Sequence, residues 1–461
     1  ALALSGLIYI QNGRKKVNTS AFLFIIVQFA FLAYTIINKD ATEIKFFTYD
    51  TLGLLFFGVL AILAASTLYY SIHYLDEESH KQYRIYFISF ILLCASITGA
   101  YFSNNATLSW ILIEATTLSA AMLVYNRRTH RALEAAWKYV LVCSIGIALA
   151  YLGILFLSIM LKGHHELNLS YDSLRLAAQS ANPLHLKIAF LLIFIGYSAK
   201  MEVFPLYSIG IDANHAVPTP MSGFFSTALV NVGFISIFRI YSVVFESGIG
   251  KWMQGVLLTA GIISLLVAAV YLLQVKHYKR FLAYSTVENM GIVLIALSFG
   301  KAGCIIAIFH TLMHSFIKSG SFYSLSRLGK IYGGYRMDSI GGYWQVNPLG
   351  AVSILLCLVG LAAVPPSALF ISELKLFQLT LSSGWLLFAA MAVFLCFVLY
   401  ALLTKFLHIC YSPLPDGLSK VGMQENRYSY IIMALLAVFF YFGIFQPQWL
   451  INSINGILSG F

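Results

Sequence analysis

Phe309-His310-Thr311-Leu312-Met313-His314-Ser315-Phe316-Ile317-Lys318 lies inside an apolar run from Cys304 to Leu328 that is long enough to cross a bilayer. Helical residues four apart lie one above another, so His310, His314 and Lys318 share a single face. Two imidazoles and an amine are costly inside hydrocarbon, and such groups within a span mark a pathway for protons or ions. Two other uses of this stretch compete. H-x-x-x-H is also the spacing of helical zinc ligands, but Thr311-Leu312-Met313 lacks the glutamate of H-E-x-x-H and no third ligand is evident. A static polar contact between helices remains the other alternative.

The composition extends this environment to the whole chain. Of 461 residues, 60% are hydrophobic and only 10% charged, and the mean hydropathy is +0.82. A soluble domain carries roughly 25% charged residues, so the fold class is an all-α polytopic membrane protein. The net charge of +11 does not point to nucleic acid, because the basic residues punctuate the loops instead of forming one soluble patch. The six cysteines (Cys94, Cys143, Cys304, Cys357, Cys396 and Cys410) stand singly in apolar segments, with no C-x-x-C. That spacing argues against iron–sulfur or zinc ligation and offers no disulfide framework. Ala1 to Ile10 lacks the basic start and cleavage site of a signal peptide, and a start at Ala suggests a first span that is truncated.

A bilayer-length window finds about fourteen apolar segments: 1–10, 20–38, 50–76, 83–103, 105–125, 130–162, 184–211, 219–246, 252–274, 281–299, 302–328, 347–382, 385–412 and 429–455. Seventeen basic residues fall at one set of loops and span ends, among them Arg14, Lys16, Arg127, Lys279, Arg336, Lys420 and Arg427. Seven fall at the other set: Lys39, Lys45, Lys162, Arg175, Lys187, Lys251 and Lys301. The bias puts the first set in the cytoplasm and both termini outside. No loop is long enough for a soluble domain, so 1–461 reads as a single membrane domain.

Five basic residues lie within spans: Lys138, Lys200, Arg239, Lys318 and Lys375. Lys200 ends the apolar run Leu191-Leu192-Ile193-Phe194-Ile195-Gly196-Tyr197-Ser198-Ala199-Lys200, and Pro205 breaks the helix just after it. A second break falls at Pro365-Pro366, followed by Glu373. Interrupted helices that carry a buried charge near mid-membrane are typical of ion and proton carriers. An ordinary kink with a snorkelling lysine suits Lys375 better than Lys200, which lies far from either span end. Glu114 is the sole charge of its span and needs a cation or a proton; Lys200 is its natural partner. Such a pair can hold or release a proton according to whether it is closed, though a purely structural ion pair is the plainer alternative. Glu288 lies about two turns inside its span, where it is either a half-channel entry or a partner of the basic loop Lys276-His277-Tyr278-Lys279-Arg280. Glu202, Asp212 and His215 read either as a cytoplasmic opening or as a polar helix end facing water.

Together these residues carry a resemblance. Lys279-Arg280-Phe281-Leu282-Ala283-Tyr284-Ser285-Thr286 resembles the K-R-x-L-A-Y-S-S/T signature of antiporter-like proton-translocating subunits. That family includes the large membrane-arm subunits of respiratory complex I, subunits of multisubunit sodium/proton antiporters and membrane-bound energy-converting hydrogenases. His310, His314 and Lys318 match its F-H-x-x-x-H-x-x-F-K element, except that only Ile317 separates Phe316 from the lysine. Glu114 falls on the family's fifth-helix glutamate, Lys200 on its seventh-helix lysine, and Glu373 on the twelfth-helix charge that faces the exit. Ile113-Glu114-Ala115-Thr116-Thr117-Leu118 and Pro365-Pro366-Ser367-Ala368-Leu369-Phe370-Ile371-Ser372-Glu373 are more similar to the hydrogenase-4 component F type than to complex I proper. Two positions depart from the pattern. Asn231 stands where relatives often carry a bridging eighth-helix lysine, and Asn289 where a histidine often follows the glutamate.

The resemblance implies two inverted five-helix repeats, helices 4–8 (83–246) and 9–13 (252–412), with a C-terminal transmembrane helix in 429–461. It implies a proton path along Glu114, Lys200, His310, His314, Lys318 and Glu373, with His215, Asn231, Glu288 and Lys138 as half-channel or linking positions. It implies a non-catalytic subunit of an oxidoreductase-type complex in a bacterial or archaeal plasma membrane. Its partners would be other membrane and peripheral subunits, and its cargo H+ or Na+. No dinucleotide fingerprint, metal set or haem motif calls for a cofactor. Two alternatives keep the fold: a cation-flux partner of an inorganic-carbon uptake complex, and a transport-silent anchor for a peripheral enzyme.

Overall fold

The computed structural model describes residues 1–75, 78–161, 168–415 and 427–459, apart from the side chains of residues 427 and 428. Lys162, Lys420 and the side chain of Arg427, which enter the charge count above, lie outside the described residues. Among the described residues the regular structure is helical, apart from a small hairpin in which Thr42–Glu43 pairs antiparallel with Phe47–Thr48 and a few isolated bridges. Among the described residues, eleven helices are long and apolar enough to cross a membrane. The count becomes twelve if Ser429–Phe445 and Gln448–Leu458, bent by 78°, form one span.

That is fewer than the fourteen or so segments read from the sequence. Leu2–Ile10 is only nine residues long. Residues 347–382 form two short helices, Pro348–Leu361 and Ala368–Ser383, because Pro365-Pro366 cannot continue a helical ladder. Pro447 sits at the bend between the last two helices. Between the apolar segments 130–162 and 184–211, the described residues contain the short helix Tyr171–Ala178.

Local chemistry sets several of the helix starts. Asp50 accepts the Gly53 amide at 3.1 Å, Ser79 and Gln82 form a reciprocal capping box, and the Ser367 hydroxyl accepts the Phe370 amide at 3.2 Å. Ile26, Trp137, Leu141 and Leu386 stand exposed on the outer faces, an arrangement that suits lipid and not water.

The chain divides into two compact units. The first comprises Ala1–Met221, Ala228–Leu257 and Ser453–Phe461, and the second Ser222–Thr227 and Leu258–Asn452. In the first, helix His130–Met160 packs along Pro183–Met201, and a side chain at Gly196 would collide with the Gly146 carbonyl. Small residues at such a crossing let two helix backbones approach closely. Helix Pro183–Met201 stops one residue past Lys200, Glu202 turns left-handed at φ 58°, and the short helix Ser208–Ala216 follows. Further on, Phe225–Leu229 forms a π turn, and the Tyr101 hydroxyl donates to the Ala228 carbonyl within it at 3.0 Å. In the second unit, Tyr278–Leu297 and Gly300–Ile331 form a helical hairpin, and Gly300–Ile331 also packs against Ala368–Ser383.

Candidate functional site

In the first unit the titratable side chains gather around helix His130–Met160. Lys200 is 2% exposed, and its ammonium donates to the Tyr139 hydroxyl at 3.1 Å. Glu114 is half-buried and accepts from the Ser144 hydroxyl at 3.2 Å. The direct Glu114–Lys200 pair read from the sequence is not formed. Tyr139 and Ser144, both on helix His130–Met160, hold the two charges separately, and Glu114 acts on Lys200 only through space, with Cys143 nearby. Glu202 is also buried, and its carboxylate accepts from the Asn214 amide at 2.9 Å. A buried non-glycine residue in left-handed backbone, two positions after a buried lysine, is strained structure of the kind that collects at functional sites.

Other first-unit positions stand apart from this cluster. Lys138 is exposed and pairs with Glu134 one turn earlier at 2.6 Å, so it lies on the outer face of its helix and not in the buried set. Asn231 is buried near Tyr101. His215 is half-buried in the last turn of Ser208–Ala216, three residues after the half-buried Asp212. Gly233 packs so closely on the backbone of Lys200 and Met201 that a side chain there would collide with it.

The second unit holds two hydrogen-bonded groups that meet at Ser285, one on its backbone carbonyl and one on its hydroxyl. His310, His314 and Lys318 are all fully buried on helix Gly300–Ile331. The Nδ1 atom of His310 meets the Ser372 hydroxyl at 2.8 Å, and Nε2 meets Asn289 Oδ1 at 3.1 Å. The Asn289 amide nitrogen donates to the Ser285 carbonyl at 2.7 Å and to the Glu288 carboxylate. Lys318 donates to the Leu282 carbonyl at 2.7 Å and to the Ser285 hydroxyl at 2.8 Å. Polar contacts therefore run from Ser372 through His310 and Asn289 to Ser285 and Lys318, passing round His314. Both ring nitrogens of His314 are buried and meet no hydrogen-bonding group among the described residues. Glu288 is buried within electrostatic reach of Glu373 and Lys318, Glu373 is half-buried next to Ser372, and Lys375 is exposed.

Tyr139, Ser144 and Ser372 carried no sequence signal of a role. Tyr139 and Ser144 sit five apart on an apolar helix, and Ser372 is masked by the more conspicuous Glu373 beside it. Ser285 could have been found, since it lies inside the K-R-x-L-A-Y-S stretch.

Residues 103–398, more than half the chain, match the family model described as NADH:quinone oxidoreductase/Mrp antiporter, TM. The chain belongs to this family. It is 30% identical over 437 residues to a Hydrogenase-4 component F homolog of Methylacidiphilum infernorum (isolate V4), covering 92% of this chain and 90% of that one. It is 29% identical over 343 residues to NAD(P)H-quinone oxidoreductase subunit 2 of Thermosynechococcus vestitus, covering 74% of this chain and 64% of that one. The fold is similar to a chain of the membrane-bound sulfane sulfur reductase, an archaeal respiratory membrane complex, with a TM-score of 0.87 at 20% identity over 99% of this chain and 94% of that one. It is also similar to a chain of the Mrp complex from Dietzia sp. DQ12-45-1b, with a TM-score of 0.85 at 17% identity over 98% and 94%. This member of the Mrp antiporter and quinone oxidoreductase family is therefore an antiporter-like, multi-pass membrane subunit, and its fold relatives are parts of multisubunit complexes. Neither the inorganic-carbon alternative nor the transport-silent anchor is favoured by these likenesses.

Proposed function

We propose that the chain translocates protons as one subunit of a larger energy-converting membrane complex of the hydrogenase-4 or complex I-like kind. The observation that carries this reading is Lys200: a buried amine at a helix break, held by a neutral hydroxyl and not neutralised by a carboxylate. Such an amine changes protonation when a nearby charge moves, and Glu114 is a charge within reach. The set from Ser372 to Lys318 supplies further titratable groups in the second unit. The proposed path takes Glu114 and Lys200 first, then His310, His314 and Lys318, and leaves by Glu373. The segments 83–246 and 252–412 would act as inverted repeats that each provide a half-channel. Partner subunits would drive the cycle by conformational or electrostatic change. The proposed setting is a bacterial or archaeal plasma membrane, with both termini outside, as the basic-residue bias favours.

The test is proton movement coupled to partner turnover in proteoliposomes containing the whole complex, read with a pH-sensitive dye. Lys200→Ala and Glu114→Gln are expected to abolish or strongly reduce it. Unchanged coupled proton movement in both variants overturns the assignment, and uptake that follows Na+ instead of pH reassigns the cargo.

A further inference from the structure

His310 has two ring nitrogens, and the groups around them are not equivalent. The Asn289 amide nitrogen faces the Ser285 carbonyl at 2.7 Å. A backbone carbonyl can only accept, so the amide NH2 must point there whatever the protonation of Glu288. The amide oxygen therefore faces His310 Nε2 at 3.1 Å, and it too can only accept. For that contact to be a hydrogen bond, Nε2 must carry a hydrogen in both the neutral and the charged ring.

The opposite nitrogen faces a group that can adapt. Ser372 Oγ lies 2.8 Å from His310 Nδ1 and 2.8 Å from the Leu369 carbonyl. A hydroxyl is both donor and acceptor, and its hydrogen rotates to suit its neighbours. When the ring is neutral, the Ser372 hydroxyl donates to Nδ1. When Nδ1 gains a proton, it donates to Ser372 Oγ, and the hydroxyl hydrogen turns to the Leu369 carbonyl. Both states leave every polar atom of His310 and Ser372 satisfied.

We propose that Asn289 fixes His310 in the Nε2–H tautomer, so that the ring gains and loses its proton only at Nδ1, on the side of Ser372 and helix Ala368–Ser383. Asn289 is a positioning residue in this scheme. Its carboxamide has no titratable proton, so it ties His310 to Glu288 without passing protons between them. The proton reaches Nδ1 from a hydronium ion moving along the path and leaves Nδ1 for a carboxylate on the Ser372 side, with Glu373 as the adjacent residue of that class. One bond, Nδ1–H, forms and breaks. This inference rests on the reading of the chain as a proton carrier.

The test uses the complete complex labelled with 15N-histidine, and solid-state NMR assigns His310 by difference from His310→Gln. The expected result is a neutral ring protonated at Nε2 in the wild type and a mixed tautomer population in Asn289→Leu. A wild-type ring protonated at Nδ1, or an unchanged population in Asn289→Leu, overturns the proposal. Coupled proton flux is the second readout. Ser372→Ala is expected to slow it by roughly tenfold or more, the worth of one lost hydrogen bond in a barrier, and Ser372→Thr to restore it. Wild-type flux in Ser372→Ala overturns the adaptive-hydroxyl part. If the wild-type complex moves no protons at all, the proton-carrier reading fails, whereas the tautomer measurement still decides the role of Asn289.

Discussion

The Lys200 ammonium meets the Tyr139 hydroxyl at 3.1 Å and lies 5.2 Å from the centre of the same ring. Tyr139 thus holds this buried amine through its hydroxyl, the ammonium lying beyond the hydroxyl end of the ring. The contact is not to a carboxylate, which is what the proposed proton-carrying role of Lys200 requires.

Tyr139→Phe keeps the ring and removes the hydroxyl. A hydrogen bond to a charged group contributes about 1.5–3 kcal/mol, so the amine of this variant is less well held in its charged form. Coupled proton movement is expected to fall by roughly tenfold or more, with little change in the amount of folded protein. Wild-type flux in Tyr139→Phe would show that the Tyr139 hydroxyl does not matter to the work of Lys200.

Gly233 offers a test of how Lys200 is positioned. A side chain at 233 would collide with the backbone joining Lys200 and Met201, which cannot move aside as a flexible side chain can. Gly233→Val is therefore expected to shift the helix end, lowering both thermal stability and coupled flux. Gly255 provides the control, because a Cβ there meets nothing within 4 Å. Equal losses in Gly233→Val and Gly255→Ala would show that the close approach is unimportant.

What was legible in the sequence was legible for local reasons. The row His310, His314 and Lys318 follows from helical spacing, and the helix ends after Lys200, ahead of Pro205, because proline cannot extend a ladder. The missing Glu114–Lys200 contact depends on tertiary packing. Helix His130–Met160 reaches Pro183–Met201 closely enough, through Gly146 and Gly196, to bring Tyr139 to Lys200 and Ser144 to Glu114. Asn289 reads in sequence as the loss of a histidine, yet in the fold it joins His310 to Ser285 and Glu288. That role appears only when three separate helix positions are seen together. The apolar composition of 347–382 makes the segment look like one span in sequence, although the double proline divides it in the fold.

His277, between the helices Gly250–Gln274 and Tyr278–Leu297, supplies a pH prediction. Burial first, then the nearby Lys279 and Arg280 charges, push its imidazole down to about 4, against an ordinary value of about 6.5. Between those values the unfolded chain binds a proton at His277 that the folded protein does not. Stability from this group is therefore full above pH ~6.5 and is lost as pH falls towards ~4. Melting temperatures measured across this range should drop less in His277→Gln than in the wild type. Identical drops would show that His277 contributes nothing to the acid sensitivity.

Arg239 tests whether every charge within a span serves transport. Its side chain is 11% exposed, and its guanidinium reaches Asp50 at 3.0 and 3.2 Å, donates to the Tyr101 carbonyl at 2.6 Å, and lies 5.4 Å from the Tyr171 ring centre. Asp50 is already committed to capping helix Thr51–Tyr74 through the Gly53 amide. Every contact is thus between parts of the first unit that fix its shape, and all the partners are held in place. Arg239→Leu strands the Asp50 carboxylate and is expected to destabilise the protein by about 3–5 kcal/mol, as breaking a buried pair does. Replacing both residues by Leu should cost less than the sum of the single changes, because no charge is then left unpaired. Arg239→Lys should fall short of wild type, since an ammonium cannot make the two-pronged contact. Thermal unfolding of the four proteins checks these orders, and coupled proton flux per folded complex should remain near wild type in each. Flux lost in Arg239→Lys without a fall in melting temperature would instead place Arg239 in the transport path.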